Sequence, residues 1–212
     1  MIEVFCDFDG TLTNQDTLWL LLDQFAPPAW YEFELQMLAG ELSEREGLKA
    51  ELRLIRQPDE VLLGALRGGI KPAEGIEELI ALVRQNGWKM QVLSGGLIRF
   101  AGTLWKQWGY GDTPLFANDH RRNSEGGIEV IEADIPKLKG HCNHCKRWHI
   151  EEAIKRGSEV IYIGDGLTDF CPAEAAHRRY AKGHLLGHLQ RKGLEVIAFS
   201  DLREVAADLK GI

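Results

Sequence analysis

The feature that most constrains the fold is a repeated alternation between short apolar runs and longer segments with helical spacing. Residues 2–6, 89–94 and 159–164 are rich in aliphatic side chains, and each run leads into a polar turn that contains glycine. Strand–helix units repeated in this way predict an α/β fold with a doubly wound, mainly parallel sheet. Ligands of such sheets bind at the carboxyl ends of the strands.

One long stretch departs from this alternation. Residues 14–69 carry Leu, Phe, Trp and Met at helical spacing and contain no clear strand pattern. Ser43 with Glu46 three residues later predicts a capping box, and Asp16 predicts a helix N-cap. We therefore expect residues 14–69 to form a small helical cap, inserted into a core made of residues 1–13 and 70–212.

The rest of the chain continues the alternation. Pro72 is predicted to open a helix that runs to about Gln85, and the strand after it is predicted to end at Ser94. Two extended segments around the turn at residues 123–127 predict a β-hairpin. A helix is predicted to begin at Lys146, ahead of the strand at residues 159–164.

Charge and composition exclude several classes of protein. The net charge of −7 argues against a broad nucleic-acid surface, so any anionic partner needs local positive charge. We expect no membrane span and a cytoplasmic location, because the apolar runs are too short to cross a bilayer and no signal peptide is evident. The four cysteines are too sparse for a disulfide framework. We expect a monomer or homodimer.

Polar side chains follow three of the predicted strands. Asp7 and Asp9 follow the first strand, Ser94 ends the second, and Asp165 and Asp169 follow the strand at residues 159–164. Each one alone is equally typical of a turn or a helix cap. Converging carboxylates repel one another unless a cation lies among them, and oxygen ligands suit Mg²⁺. Together they predict a magnesium site at the sheet edge.

The same residues fit the needs of phosphoryl transfer, which are an in-line nucleophile, charge neutralisation and a proton for the leaving group. Asp7 could attack phosphorus and form an aspartyl-phosphate, and Asp9 could serve as acid and base. Gly10 allows a close backbone approach to the phosphate, and Ser94 with the N–H of Gly95 adds donors. The missing cation is best supplied by Lys146. The residues expected to bind the phosphate group are Gly10, Thr11, Ser94, Gly95 and Lys146.

The chain resembles the haloacid dehalogenase superfamily through four ordered motifs: "DFDGT" at residues 7–11, "LSGG" at residues 93–96, Lys146, and "GDGLTD" at residues 164–169. It is most similar to the phosphoserine-phosphatase-like branch, in which a small helical cap lies between the first two motifs. Within that branch, "FAPPAW" and the Cys-rich segment before Lys146 resemble the methionine-salvage phosphatases. The resemblance implies hydrolysis of a phosphoester, with a small phosphorylated metabolite as the expected partner and Mg²⁺ as cofactor.

The resemblance also implies individual roles. Asp7 would be both nucleophile and metal ligand, and Asp9 would be the acid/base while its backbone carbonyl binds the metal. Asp165 would be the third protein ligand, and Asp169 would support the site by orienting Lys146 or a metal-bound water. Ser94 and Lys146 would hold the phosphoryl group. Because true dehalogenases lack an aspartate at the position of Asp9, its presence favours a phosphatase.

Several alternatives stay open at this point. A phosphoserine phosphatase or a phosphotransferase would share every motif, although Arg45 and Glu46 do not align with the cap pair that grips phosphoserine. A non-catalytic phosphometabolite-binding protein would keep phosphate binding without turnover. A zinc-dependent interaction protein could use Cys142 and Cys145 with the histidines around them, but no second ligand pair exists elsewhere. We interpret that segment as a loop beside the site.

Overall fold

The computed structural model describes residues 1–138 and 144–212. Its strands are β1 (Ile2–Asp7), β2 (Lys89–Leu97), β3 (Leu115–Arg122), β4 (Ile128–Ile131), β5 (Glu159–Gly164), β6 (Arg178–Ala181) and β7 (Ile197–Ala198). Its helices are α1 (Thr17–Phe25), α2 (Trp30–Ala39), α3 (Glu44–Leu54), α4 (Asp59–Gly69), α5 (Ile76–Gln85), α6 (Ile98–Gln107), α7 (Lys146–Lys155), α8 (Phe170–Ala175), α9 (Gly183–Arg191) and α10 (Leu202–Leu209).

The strands form one sheet in the order β4-β3-β2-β1-β5-β6-β7. Among these strands only β3 and β4 pair antiparallel, so the predicted doubly wound, mainly parallel α/β fold is confirmed. Side chains of β1 alternate between two cores, as the pleat of a strand requires. Val4 and Cys6 join the core that contains residues of α5, α6 and α10, whereas Phe5 joins the core of α7 and α9. Helices therefore cover both faces of the sheet.

Helices α1 to α4 occupy the stretch between β1 and α5, where the sequence predicts helices. The predicted N-cap is confirmed, because Asp16 Oδ1 accepts a hydrogen bond from the backbone N–H of Trp19 at 2.9 Å. Ser43 and Glu46 form the predicted capping box at the start of α3. These side chains satisfy N–H groups that the first turn of a helix leaves unpaired.

Two predicted boundaries are wrong. Pro72 does not open a helix, because it forms an isolated antiparallel bridge with Thr13, and α5 begins at Ile76. Strand β2 does not end at Ser94 but continues to Leu97. The register of β2 against β3 shifts between Leu93 and Leu97, which is a bulge that the glycines of "LSGG" permit. Ser94 therefore lies inside an irregular strand.

The predicted hairpin is confirmed as β3 and β4, and it is joined to the helical segment. Arg122 on β3 donates to the backbone oxygens of Ile55 and Gln57 and to Asp59 Oδ1, the latter at 2.6 Å. His120 Nε2 lies 2.9 Å from Asp59 Oδ2. The hairpin thus fixes the end of α3 and the start of α4 to the core.

No helix in the part of the chain that the structure describes is both long enough and apolar enough to span a membrane.

Candidate active site

The turn after β1 places two aspartates close to the sheet edge. Asp7 is the last residue of β1, and the fully buried Phe8 anchors the turn by packing against Trp105 and Trp108, with ring centroids 6.2 and 6.1 Å away. Gly10 has a φ of 78°, and a Cβ atom there would lie 2.6 Å from Asp165 Oδ2. Only glycine fits this conformation and this close approach.

Lys146 lies at the centre of the site and is only 2% exposed. Its Nζ contacts Asp7 Oδ1 and donates to Asp169 Oδ1 at 2.7 Å and to Thr168 Oγ1 at 2.9 Å. Burial alone would lower the pKa of Lys146, but the charges of Asp169 and Asp7 outweigh burial and raise the pKa above its ordinary value. Lys146 is therefore a permanent cation.

Three carboxylates meet beside this cation. Oxygens of Asp7, Asp165 and Asp169 lie within 4.8 Å of one another. Burial, followed by the charge of Asp169, raises the pKa of Asp165 to about 6. Burial and Asp169 also raise the pKa of Asp7, while Lys146 opposes them. A single lysine does not balance three carboxylates, so the cluster favours a further cation.

Protein groups use most of the hydrogen-bonding capacity of the Asp169 carboxylate. Its Oδ1 accepts from Lys146 Nζ and from the hydroxyl of Tyr162 at 2.6 Å. Its Oδ2 accepts from the backbone N–H groups of Asp165 at 2.9 Å and Gly166 at 3.0 Å. A carboxylate bound in this way orients its neighbours and has little capacity left for a metal.

Asp9 is held by hydrogen bonds from α1 and β2. Its Oδ1 accepts from the backbone N–H of Thr17 at 3.0 Å and from the Thr17 hydroxyl, and its Oδ2 accepts from Ser94 Oγ at 3.0 Å. Ser94 Oγ in turn accepts from the N–H of Gly96 at 2.9 Å. The side chain of Asp9 is thus held between the start of α1 and β2, and its charge contributes to the raised pKa of Asp7.

Two further predicted residues of the site are Thr11 and Gly95. Thr11 is fully buried and its hydroxyl donates to Asp165 Oδ1, so its side chain orients a carboxylate. Gly95 lies close to Thr168, because a Cβ atom at Gly95 would be 3.7 Å from Thr168 Cγ2. The structure therefore brings Ser94, Gly95 and Lys146 to the edge where Asp7 lies.

Sequence reasoning missed several residues of the site. Thr17, Tyr162 and Thr168 each bind one of the central side chains, yet Ser, Thr and Tyr are too common to be singled out without a structure. Glu44, at the start of α3, is also close: burial raises its pKa to about 7, and the charges of Lys146 and Asp169 act on it. Helix α3 thus brings a carboxyl group toward the site.

The Cys- and His-containing segment is described only in part. Cys142 and His141 lie outside the described residues, so the zinc hypothesis stays untested there. His144 and His149 are buried, and their Nε2 atoms lie 2.9 Å apart. Burial lowers their pKa values to about 3 and about 4, so both are neutral at physiological pH. Within residues 1–138 and 144–212, the only group of three potential metal ligands is Asp7, Asp165 and Asp169.

A sheet edge that carries an aspartate-bearing turn, a buried lysine and further carboxylates is the arrangement of a phosphoryl-handling hydrolase. Residues 4–174 match the haloacid dehalogenase-like hydrolase family, and the chain belongs to that family.

Two similar proteins of the same name sharpen this assignment. The chain is 30% identical over 220 residues to the 2-hydroxy-3-keto-5-methylthiopentenyl-1-phosphate phosphatase of Bacillus cereus strain B4264, covering 99% of this chain and 96% of that protein. It is also 30% identical over 222 residues to the enzyme of the same name from Bacillus anthracis strain CDC 684.

Solved structures agree on the fold. A phospho-aspartyl intermediate analogue of phosphoserine phosphatase superposes with a TM-score of 0.75 at 23% identity, covering 99% of this chain and 98% of the other. A substrate-bound phosphoserine phosphatase gives the same TM-score and identity. Both matches cover 99% of this chain, so its fold is that of these phosphatases.

Proposed function

We propose that this chain is a Mg²⁺-dependent phosphatase that hydrolyses 2-hydroxy-3-keto-5-methylthiopentenyl-1-phosphate. The observation that carries the phosphatase proposal is the buried Lys146, which contacts Asp7 and Asp169 beside Asp165. Full-length relatives named for this substrate support the substrate assignment. Residues 14–69 are proposed to be the cap that covers the sheet edge.

The residues present fit a magnesium ion. Asp7 and Asp165 offer carboxylate oxygens within 4.8 Å of each other, and hard oxygen donors are the ligands that Mg²⁺ prefers. We assign these two side chains and the backbone carbonyl of Asp9 as its protein ligands. When bound, the ion would neutralise charge on the phosphoryl oxygens.

The proposed reaction has two steps. In the first, an Asp7 carboxylate oxygen attacks phosphorus, the bond from phosphorus to the ester oxygen breaks, and Asp9 donates a proton to the leaving alkoxide. In the second, Asp9 takes a proton from water, whose oxygen attacks the aspartyl-phosphate. The phosphorus–Asp7 bond then breaks and inorganic phosphate is released. Lys146, Ser94 and the N–H of Gly95 bind the phosphoryl oxygens throughout.

Contacts in the cap bear on the alternative of phosphoserine. Arg45 is bound to Glu132 through two hydrogen bonds, at 2.6 and 2.8 Å. Glu46 is used by the capping box with Ser43. Neither member of this pair is therefore positioned to grip the carboxylate and ammonium groups of serine, which favours a substrate without an amino-acid head.

The test is a comparison of phosphate release from 2-hydroxy-3-keto-5-methylthiopentenyl-1-phosphate and from O-phosphoserine, with Mg²⁺ and with a chelator. We expect kcat/KM at least about 100-fold higher for the first substrate, and loss of activity on chelation. A preference for O-phosphoserine would overturn the substrate assignment. Transfer to added alcohols in place of water would indicate a phosphotransferase, and binding of both esters without release would indicate a sensor.

A further inference from the structure

The irregular part of β2 needs support that a regular ladder would supply. Between the pairs Leu93 with Phe116 and Leu97 with Asn118, β2 advances by four residues while β3 advances by two. Residues 94–96 are therefore displaced from the ladder, which frees their backbone groups for the site. These residues form the phosphate loop of the proposed function, so their placement must be fixed in some other way.

Asn118 on β3 supplies this support. It is fully buried, and its Nδ2 donates to the backbone oxygen of Gly95 at 2.9 Å. Its Oδ1 accepts from the backbone N–H of Ala133 at 3.2 Å. Because both ends of the amide are bound, the side chain has one orientation.

The hydrogen bond from Asn118 to Gly95 is linked to Asp9 through a single peptide unit and Ser94. The Gly95 oxygen and the Gly96 N–H belong to the same planar, trans peptide unit, so holding the oxygen aims the N–H in the opposite direction. That N–H donates to Ser94 Oγ at 2.9 Å, and Ser94 Oγ donates to Asp9 Oδ2 at 3.0 Å. A continuous set of hydrogen bonds therefore leads from Asn118 to the proposed acid/base.

The other end of this set is tied to the cap. Ala133 follows Glu132, and Glu132 accepts from Arg45 at 2.6 Å and from Lys49 at 2.5 Å, both on α3. The Asn118 amide thus lies between a segment bound to the cap and the loop that binds phosphate.

We propose that Asn118 is a positioning residue that holds the Ser94–Gly96 loop, and through Ser94 the Asp9 side chain, in the reactive arrangement. This inference rests on the proposed phosphatase function. The hydrogen bonds of the Asn118 amide go to the backbone of Gly95 and of Ala133, so its effect should appear in turnover more than in substrate binding.

The first test uses Asn118→Asp, which keeps the oxygen that accepts from Ala133 but replaces the donor to Gly95 with an acceptor. Misplacing reacting groups by about 1 Å costs about 100-fold in rate, so we expect kcat to fall about 10- to 100-fold while KM changes less than about threefold. The control is Asn123→Ala, which removes two hydrogen bonds to backbone N–H groups in the same hairpin, those of Glu125 and Gly127. Asn118→Leu, uncharged and of similar size, is measured in parallel in case the buried carboxylate prevents folding.

The second test is independent of turnover and follows hydrogen exchange of the Gly96 amide by NMR. We expect exchange to accelerate about tenfold or more in the Asn118 variants and to stay unchanged in Asn123→Ala. Unchanged Gly96 exchange, or a kcat within about twofold of the parent, would overturn the inference, as would equal losses in the Asn118 and Asn123 variants. If the parent chain hydrolyses no phosphomonoester, the proposed function fails, while Gly96 exchange still decides whether Asn118 holds the loop.

Discussion

The sheet edge and residues 14–69, the proposed cap, differ in how they accommodate buried charge. At the edge, opposite charges meet, since Lys146 contacts Asp7 and Asp169. In the cap, carboxyl groups lie next to one another: burial and the neighbouring Glu34 raise the pKa of Glu51 to about 9. Glu51 is 1% exposed, and its Oε1 has no hydrogen-bond partner among the described residues.

This contrast separates two demands on one enzyme. In the proposed function, the edge stabilises the same phosphoryl group in every reaction of its class, so its side chains are held by hydrogen bonds and ion pairs. In the same proposal, the cap distinguishes one substrate from another. A buried carboxyl group without a full set of partners, such as Glu51, is tolerated there only if it is protonated or paired. Substitutions made in each region in turn therefore test whether the sheet edge and the cap differ in this way.

The largest effect is expected at the edge, in Asp7→Asn. An amide cannot act as the nucleophile, so activity should fall by about 10⁴-fold or more while the protein stays folded. Phosphate release and a urea unfolding curve measure the two properties. The matched control is Asp23→Asn on the exposed side of α1, which should retain full activity. Residual activity above about 1% in Asp7→Asn would end the covalent proposal.

Lys146→Met tests the same edge by its effect on the free energy of unfolding. Removing the cation leaves Asp7 and Asp169 buried side by side, and breaking a buried ion pair in this way costs about 3–5 kcal/mol. Urea unfolding should therefore show a large loss of unfolding free energy, part of which Mg²⁺ restores by binding the carboxylates. Lys155→Met, at the exposed end of the same helix, is the control. A loss below about 1 kcal/mol would mean that the carboxylates do not depend on this lysine.

The edge could be predicted from sequence because its residues are few, chemically specialised and placed by strand ends. Asp7 and Asp165 meet at one edge because parallel strands end there, and Lys146 at the start of α7 contacts Asp7. Ser94 is bound to Asp9 in the turn after β1. The roles assigned to them stay predictions. The strand boundaries were less accurate: the bulge that carries β2 past Ser94 depends on pairing with β3, and no local pattern reports it.

The cap could be predicted only in outline. Its helices and their caps follow from local signals such as Asp16 and the Ser43–Glu46 capping box. The juxtaposition of Glu34 with Glu51, and of Glu132 with α3, joins residues distant in sequence. Helical spacing says which side of a helix is apolar, but it does not say which neighbouring helix that side meets.

The joint between the two regions is tested by two adjacent arginines. Arg122 donates to the Ile55 and Gln57 oxygens and to Asp59, whereas Arg121 is exposed and pairs with Glu129 within the hairpin. We expect Arg122→Ala to lower the unfolding free energy by about 2 kcal/mol and Arg121→Ala by less than about 0.5 kcal/mol. Urea unfolding measures both. Equal effects would show that the hairpin does not hold the cap.

The smallest effect concerns Glu51 and depends on pH. Folded Glu51 keeps its proton up to about pH 9, whereas the unfolded chain releases it near the ordinary value of 4.5. Between these values the folded state binds more protons, so this carboxyl lowers stability as the pH rises. Glu51→Gln keeps the uncharged form at every pH. Its stability relative to the parent should therefore increase by about 1 kcal/mol or more between about pH 5 and about pH 8.

Urea unfolding at the two pH values measures that increase, and Glu41→Gln, at an exposed position, is the control. A difference between Glu51→Gln and the parent that is the same at both pH values would mean that Glu51 is already ionised in the folded cap. The cap would then hold a buried anion beside Glu34, and some cation would have to accompany it. In that case the cap would balance its charge as the sheet edge does, and the contrast between the two regions would disappear.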